Sequence, residues 1–307
     1  MPAHPAAVDG YQWHDAEMPG PRRLEVLTSG PEDGFPLVFH SGTPSGVAPF
    51  GILTDSAASR GLRAIMYSRP GYGTSTSMKG RLVADAASDT AAVLDALGYG
   101  ADAPFVTVGW SGGGPHALAC VALLAERCLG GGVIAGVAPA DSEDLAWTAG
   151  MGQENVEEFE AARVGGQDFE ALLGLAAEMF AGVTEPAVLV DALGGLITEA
   201  DKEALVRDGI ADYMIGAFRQ AVLHGTDGWR DDDVAFLTPW GFDPATIERP
   251  VWIWQGSADQ MVPADHARVL AARIGSAHLE LRDGEGHLSI VTIALPALLD
   301  DLAALVA

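Results

Sequence analysis

The segment Gly109-Trp-Ser-Gly-Gly113 places a serine among glycines between an apolar run, residues 105–108, and an Ala-rich stretch. This context predicts a tight strand-to-helix turn that exposes the Ser111 hydroxyl, and small neighbours are needed because larger side chains would collide with the strand and the helix. The helix N-terminus would bring backbone N–H groups beside Ser111. Ser111 is therefore the candidate nucleophile, and the competing interpretation is a glycine-rich turn with an ordinary serine.

A serine hydroxyl needs a general base, and His287 has the most suitable position of the eight histidines. It follows a predicted strand and precedes the last predicted helix, so it should lie at the carboxyl edge of the sheet, as Ser111 does. The base needs an orienting carboxylate. Asp259 follows the predicted strand at residues 251–256, and Asp141, after an earlier strand, is the alternative. The chain order Ser, Asp, His favours Asp259.

Two N–H donors are needed for the oxyanion that forms when serine attacks a carbonyl. Gly112, directly after the nucleophile, is the first candidate. The second is Thr43, in the loop His40-Ser-Gly-Thr-Pro44, which could also be a plain turn. An apolar substrate pocket is expected around a further set of side chains, for each of which ordinary core packing is an equal alternative. These are Trp110, Trp147, Met179, Phe180 and Leu288.

The net charge of the chain limits the kinds of partner that it can bind. The 307 residues include 42 acidic and 17 basic ones, a formal net charge of -25 at pH 7. This charge repels phosphate backbones and anionic lipids, so neither a nucleic-acid partner nor a membrane partner is expected. The uncharged stretch at residues 129–140 is too short to span a bilayer, and the N-terminus lacks the pattern of a signal peptide.

The cysteines and the carboxylate run indicate the compartment of the protein and whether it binds a metal. Cys120 and Cys128 are expected in one helix, about 12 Å apart along its axis and beyond disulfide reach, which predicts a reduced, cytoplasmic protein. Asp231-Asp-Asp233 is a carboxylate run without histidines, and such runs are mostly solvated loops. No metal and no cofactor are expected, and the predicted partner is a small-molecule substrate. The oligomeric state stays open.

Apolar runs and helical patterns alternate in the first and last parts of the chain. Nearly continuous apolar strands separated by helices indicate a parallel sheet covered on both faces. The predicted strands are residues 24–29, 36–40, 62–67, 104–110, 132–137, 251–256 and 278–282, and the predicted helices are residues 82–97, 112–128, 263–274 and 287–306. No strand is expected in the N-terminal arm that carries His14.

Residues 141–240 break this alternation with helical patterns alone. Thr198-Glu-Ala-Asp201 is typical of a capping box. The segment contains 21 acidic and 5 basic residues, a net of -16, whereas the rest of the chain has a net of -9. The pattern predicts a core in two parts, residues 1–140 and 241–307, separated by a helical lid, residues 141–240. The acidic face of the lid is expected to point to solvent; the alternative is that some carboxylates face the cleft.

Together these segments resemble the lid-bearing branch of the α/β-hydrolase family, which includes esterases, haloperoxidase-like enzymes and proline iminopeptidases. The motifs that carry the resemblance are residues 40–44, Ser68-Arg-Pro-Gly-Tyr-Gly73, residues 109–113, residues 256–263 and Gly286-His287. The resemblance implies an α/β fold: a mostly parallel, eight-stranded sheet flanked by helices, with the lid inserted before the last two strands.

Two positions bear on what this resemblance implies. The family usually reads His-Gly-x-Pro, whereas Ser41 intervenes here, so the second oxyanion donor is located only to within one position. Serine at the nucleophile position, where epoxide hydrolases and haloalkane dehalogenases of the family carry aspartate, argues against those two reactions.

The sequence therefore predicts a metal-free serine hydrolase that cleaves a small neutral ester or lactone through an acyl-enzyme on Ser111. His287 would move the proton and Asp259 would fix its tautomer. A rival interpretation is an aminopeptidase or amidase of the proline iminopeptidase type, whose cap carboxylates hold a substrate amine. That family has Trp after the serine, whereas this chain has Trp110 before it. Two more rivals are a ligand receptor without hydrolysis and a lyase of the hydroxynitrile type.

Overall fold

The computed structural model describes residues 7–207 and 209–306, and in them one eight-stranded sheet organises the chain. Its strand order is β1-β2-β4-β3-β5-β6-β7-β8; β2 pairs antiparallel with β1 and β4, and all other pairs are parallel. The strands are β1 (Tyr11–Glu17), β2 (Arg23–Ser29), β3 (Phe35–His40), β4 (Leu62–Tyr67), β5 (Phe105–Trp110), β6 (Cys128–Ile134), β7 (Val251–Gly256) and β8 (Ala277–Arg282). The predicted mostly parallel sheet of eight strands is confirmed.

Helices cover both faces of the sheet, because its central strands are buried on both sides. On one face lie α1 (Gly51–Ala58) and α11 (Ser289–Ala304), which pack against each other. On the other face lie α2 (Asp85–Ala96), α3 (Gly113–Leu123) and α10 (Ala264–Arg273). Each face has its own cluster of buried apolar side chains. Since the parallel strands all end at one edge, the loops that follow them meet there.

Among the described residues, six α-helices lie between β6 and β7 and are called here the helical insert. They are α4 (Gln153–Val164), α5 (Gln167–Ala181), α6 (Pro186–Leu193), α7 (Glu199–Arg207), α8 (Ile210–Ala221) and α9 (Asp227–Leu237). The buried apolar side chains of α5 to α8 belong to the same cluster as those of α11. The predicted domain limits at 141 and 240 fall in segments that are neither helix nor strand. The division into domains and the function of the insert as a lid stay predictions.

Two expectations about the elements are wrong, and one helix was not predicted. Cys128 does not lie in a helix with Cys120, because α3 ends at Leu123 and Cys128 begins β6; both thiols are free and buried. The N-terminal arm, beyond residues 1–6, which lie outside the described part, forms the antiparallel edge strand β1. Helix α1 has no counterpart among the predicted helices.

The error at β6 has a tertiary cause. The sequence predicts a helix to residue 128 and a strand at residues 132–137, whereas β6 is Cys128–Ile134. A side chain at Gly131 would meet Val121 of α3 at 2.6 Å, and one at Gly132 would collide with Leu298 of α11. The strand lacks side chains there because helices approach it closely from both faces. No helix in the described residues is both long and apolar enough to cross a membrane.

Candidate active site

Ser111 lies at the turn between β5 and α3 in a backbone conformation that is rare for a serine. Its φ is 56°, in the left-handed region that side chains other than glycine disfavour. The turn is held by two backbone hydrogen bonds: Ser111 N–H donates to the carbonyl of Ile134 at 2.8 Å, and Gly114 N–H donates to the carbonyl of Ser111 at 2.9 Å. A β-carbon at Gly109 or Gly113 would overlap a backbone carbonyl, that of Gly113 or His40 respectively. The glycines of the motif are therefore required by close backbone contact.

His287 and Asp259 form a buried pair at the carboxyl edge of the sheet. Asp259 follows β7, His287 precedes α11, and His287 Nδ1 lies 2.8 Å from Asp259 Oδ2. Asp259 is fixed in turn, because its Oδ1 accepts hydrogen bonds from the backbone N–H groups of Met261 and Val262, and its Oδ2 accepts one from Gln255. Burial lowers the pKa of His287, but the charge and hydrogen bond of Asp259 outweigh it, so the pKa is raised above 6.5. This pair leaves Nε2 as the proton-accepting atom of a neutral imidazole.

Asp141, the alternative partner of the histidine, is exposed and lies in a surface depression with Arg268 and Arg273. The structure brings Asp259 to His287 and leaves Asp141 elsewhere. Ser111, Gly112, Thr43 and His287 line one partly enclosed cavity beneath the helical insert.

The loop after β3 is pressed against the serine turn. A β-carbon on Gly42 would meet that of Ser111 at 3.3 Å, and one on Gly112 would collide with Thr43 Oγ1. The backbone at Gly42 thus lies beside Ser111, and the Thr43 side chain lies against Gly112, the residue after the serine. The structure brings Thr43 and Gly112 together as the sequence predicts; their function as donors remains a proposal.

Arg69 fixes the loop after β3 through hydrogen bonds. Its guanidinium donates to the carbonyl oxygens of Ser41 at 2.6 Å and Gly42 at 2.8 Å, and to Thr43 Oγ1 at 3.0 Å. The side chain is 2% exposed and forms an ion pair with Asp232 of the insert. A planar guanidinium with several fixed donors suits such a site, because one group can hold three acceptors at once.

Asp232 is the centre of the charged network. It is fully buried and accepts hydrogen bonds from Thr43 Oγ1 at 2.7 Å and Tyr72 Oη at 2.8 Å, and Arg81 Nη1 lies 2.6 Å away. Burial acts to raise the pKa of Asp232, but Arg69 and Arg81 outweigh it and hold the pKa well below its usual range. Asp232 is therefore ionised, and it connects α9 of the insert to the loop beside Ser111.

The interpretation of residues 231–233 as a solvated loop is wrong. They lie in α9, and Asp232 and Asp233 are fully buried. A helical signal was present in the sequence: Trp229, Asp232, Asp233 and Phe236 are spaced i, i+3, i+4, i+7 and share one face. The flanking aromatic residues indicate that this face is buried, so the two carboxylates are buried with it.

Three of the five residues predicted to form the substrate pocket do line the cavity: Trp110, Phe180 and Leu288. Trp110 also supports the histidine, since its ring lies 5.9 Å from that of His287 and its Nε1 donates to the His287 carbonyl at 3.3 Å. The predictions for the other two are wrong. Trp147 packs edge-on against Phe159 and donates to the carbonyl of Ala138, whereas Met179 is 44% exposed because it lies on the outer face of α5.

The cavity has one acidic end. Glu158 of α4 and Asp233 of α9 both line it, and Glu158 Oε1 accepts a hydrogen bond of 2.9 Å from Trp229 Nε1. Burial raises the pKa of Glu158 to about 7, and burial together with repulsion from Glu158 and Asp232 raises that of Asp233. Because each carboxylate disfavours ionisation of the other, we expect the two groups to share a proton rather than both carry a charge. Part of the acidic surface of the insert therefore faces the cleft, contrary to the favoured expectation.

The sequence comparison identifies the class to which this fold and site belong. Residues 37–298 match the profile of the alpha/beta hydrolase family, so the chain is a member of that family. No curated protein matches the sequence significantly.

Solved structures agree on the fold. A bromoperoxidase from Bacillus anthracis superposes with a TM-score of 0.68 at 18% identity, covering 96% of this chain and 99% of the other. The enol-lactonase from Burkholderia xenovorans LB400 gives 0.67 at 18% identity, covering 95% and 99%. A thermophilic esterase from Thermogutta terrifontis gives 0.62 at 17% identity, covering 96% and 99%. At these identities the likeness establishes the fold alone.

Proposed function

We propose that the protein is a serine hydrolase that cleaves a small neutral carboxylic ester or lactone through an acyl-enzyme. The observation that carries the proposal is the strained Ser111 turn, φ 56°, which lines the same cavity as His287, whose Nδ1 contacts Asp259. Strain of this kind persists only where surrounding structure maintains it, and it concentrates at functional sites.

The proposed reaction has two steps, acylation of Ser111 and hydrolysis of the acyl-enzyme, and His287 transfers protons in both. Ser111 Oγ attacks the carbonyl carbon while His287 Nε2 takes its proton, and the amides of Gly112 and Thr43 hold the developing oxyanion. His287 then protonates the leaving alcohol as the carbon–oxygen bond breaks. Water attacks the acyl-enzyme with His287 again as base, which releases the acid and returns the proton to Ser111. The carboxylate of Asp259 stabilises the imidazolium.

The lining of the cavity favours a substrate with a neutral acyl group. Most of its lining is apolar, including Trp110, Leu193, Met214, Phe218 and Phe236. Burial of a charged acyl group against such side chains would be costly without a partner. Structural neighbours described as an enol-lactonase and an esterase are compatible with this substrate class.

The test is covalent labelling with a fluorophosphonate, together with turnover of p-nitrophenyl esters. Ser111→Ala should abolish both while leaving the melting temperature near that of the wild type. Ser45→Ala is the matched control, because Ser45 lines the same cavity but is not at the turn, and it should still take the label. Retention of more than a few per cent of turnover by pure Ser111→Ala protein would contradict the proposal. Absence of labelling together with absence of turnover would favour a ligand receptor, and labelling without ester hydrolysis would favour a lyase.

A second candidate function is favoured by one observation, the carboxyl pair of Glu158 and Asp233 at the acidic end of the cavity. A pair that shares a proton retains negative charge, which would attract a substrate ammonium group, as in an aminoacyl ester or amide. Neutral, cationic and anionic p-nitrophenyl esters and aminoacyl anilides, assayed at low and high salt, separate the two candidates. Strong anilide turnover with little esterase activity would reverse the ranking.

A further inference from the structure

Asp201 of the insert reaches the catalytic edge of the sheet although it lies far from it in sequence. Its side chain is fully buried at the start of α7. The backbone N–H groups of Leu288 and Ser289 both donate to Asp201 Oδ1, at 2.7 and 2.9 Å. These are the two residues directly after His287, at the N-terminus of α11. One carboxylate oxygen of the insert therefore caps the helix that follows the proposed base.

The other oxygen of Asp201 is engaged within the insert. Oδ2 accepts hydrogen bonds from the backbone N–H and the hydroxyl of Thr198, each at 3.0 Å, and Thr198 Oγ1 accepts one from Asp201 N–H at 3.2 Å. This reciprocal pair is the capping box that the sequence predicts at the start of α7. A single side chain thus caps two helices, one in the insert and one in the core.

The fit around this carboxylate is tight. A β-carbon on Gly286 would collide with the Asp201 carboxylate, so the residue before His287 must be glycine for the contact to form. Gly286 N–H in turn donates to Ser289 Oγ at 2.9 Å. The backbone on both sides of His287 is therefore held by groups that converge on Asp201.

We propose that Asp201 is a positioning residue for the proposed base: it ties the backbone that carries His287 to the helical insert, so that the imidazole is held in its working position only when the insert is docked. The proposal rests on the assignment of His287 as base. It accounts for a buried carboxylate whose partners, apart from its own capping box, are the two amides that follow the histidine.

Charge is the second consequence of this contact. Among the groups around His287, Asp259 and Asp201 both raise its pKa, Asp259 more strongly. Trp110 of β5, which contacts the histidine, is neutral, and Asp283, on the loop that carries His287, is exposed. Glu158 and Asp233 line the cavity that His287 also lines, and this pair is expected to share a proton. Replacing Asp201 by a neutral residue should therefore lower the pKa of His287, since it removes a negative charge that favours the imidazolium.

The experiment compares Asp201→Asn and Asp201→Ala with two controls. Glu154→Gln is the matched carboxylate-to-amide change, because Glu154 caps Gly195 N–H entirely within the insert. Thr198→Val weakens the cap of α7 but leaves both bonds from α11 to Asp201. Two quantities are measured: the pKa of the His287 imidazole by NMR titration, and the pH dependence of the rate of fluorophosphonate labelling at Ser111.

Asp201→Asn should lower the NMR pKa of His287 and move the acid limb of the labelling profile to lower pH by the same amount. Asp201→Ala should in addition slow labelling at the plateau by about 10²-fold, the size of effect expected when a reacting group is misplaced by about 1 Å. Both controls should keep the wild-type pKa and plateau rate. If Asp201→Ala does not fold, the Asn variant still decides the question.

An unchanged His287 pKa in Asp201→Asn, or an unchanged plateau rate in a folded Asp201→Ala protein, would overturn the proposal. So would a Thr198→Val variant that reproduces the loss in Asp201→Ala, because the effect would then come from the stability of α7 alone. Failure of the proposed function has a different signature: the wild type takes no label and turns over no ester. The NMR titration still measures the coupling of Asp201 to His287 in that case.

Discussion

The three consecutive aspartates of α9 differ in their surroundings, which makes them a matched series for one perturbation. Asp232→Asn keeps the size of the side chain but removes the negative charge that faces Arg69 and Arg81. Both guanidinium groups are 2% exposed, so solvent does not replace the lost charge. We expect Asp232→Asn to be the most destabilising carboxylate-to-amide change in α9.

The magnitude follows from this burial. Breaking a buried ion pair by removing one partner costs about 3–5 kcal/mol, because the other charge stays buried and uncompensated. With an unfolding entropy of about 2.1 cal/mol/K per residue, this corresponds for 307 residues to a fall of about 5–8 °C in Tm. The pKa of Asp232 is lowered in the folded state. Its contribution is therefore present above the unfolded value of about 3.9 and is lost as pH falls below it, so Tm should be compared at pH 7.

The same substitution should impair catalysis. Asp232 accepts the hydrogen bond of Thr43 Oγ1, and Arg69, which it neutralises, holds the carbonyls of Ser41 and Gly42. Release of that loop weakens one oxyanion donor, and loss of such a donor costs up to about 10²–10³-fold in kcat. Esterase assays should therefore show a lower kcat with a smaller change in KM.

Asp231→Asn is the control for this prediction. Its partner Arg230 is more exposed and keeps the carboxylates of Asp227 and Glu170, so the loss should be about 1 kcal/mol or less. Thermal melts and ester kinetics of the two variants decide the matter. An Asp232→Asn protein that melts within about 1–2 °C of Asp231→Asn, a difference well below that expected from a buried pair, would refute the reasoning.

Further predictions concern the carboxylate of Asp259, the ionisation of His287 and the carboxyl group of Asp233. Asp259→Asn should reduce kcat by up to about 10⁴-fold, because the amide favours the wrong His287 tautomer, whereas Asp141→Asn should leave ester kinetics nearly unchanged; the reverse ranking would move the acid to the earlier loop. In the wild type, kcat/KM should rise with pH as His287 loses its proton, with an apparent pKa above 6.5, and a midpoint below 6.5 would argue against this environment. The pKa of Asp233 is raised in the folded state, so the contribution of this carboxyl group to stability falls as pH rises above its unfolded value of about 3.9, and the Tm of Asp233→Asn relative to the wild type should increase with pH above that value. Asp233→Asn should also reduce any preference for cationic over neutral esters, and an unchanged preference would show that the pair near Glu158 does not select substrate charge.

Local sequence determined the parts of this protein that depend on near neighbours. Strand β7 (Val251–Gly256) and strand β4 (Leu62–Tyr67) have the predicted limits, because a buried parallel strand is a short apolar run between turn residues. The glycines around Ser111 indicated a close backbone contact, since few other residues fit a strand-to-helix turn. The positions of Ser111, Asp259 and His287 after predicted strands placed them at one edge of the sheet, where the structure also has them.

Tertiary packing decided the rest. Whether a carboxylate is solvated or buried depends on what packs over it, so the composition of the insert could not distinguish Asp232, paired with two arginines, from Asp233 in the cavity. Only the close approach of helices to both faces of the strand explains the glycines of β6. The contact from Asp201 to the amides after His287 joins residues far apart in sequence, and only the docking of the insert on the sheet brings them within hydrogen-bond distance.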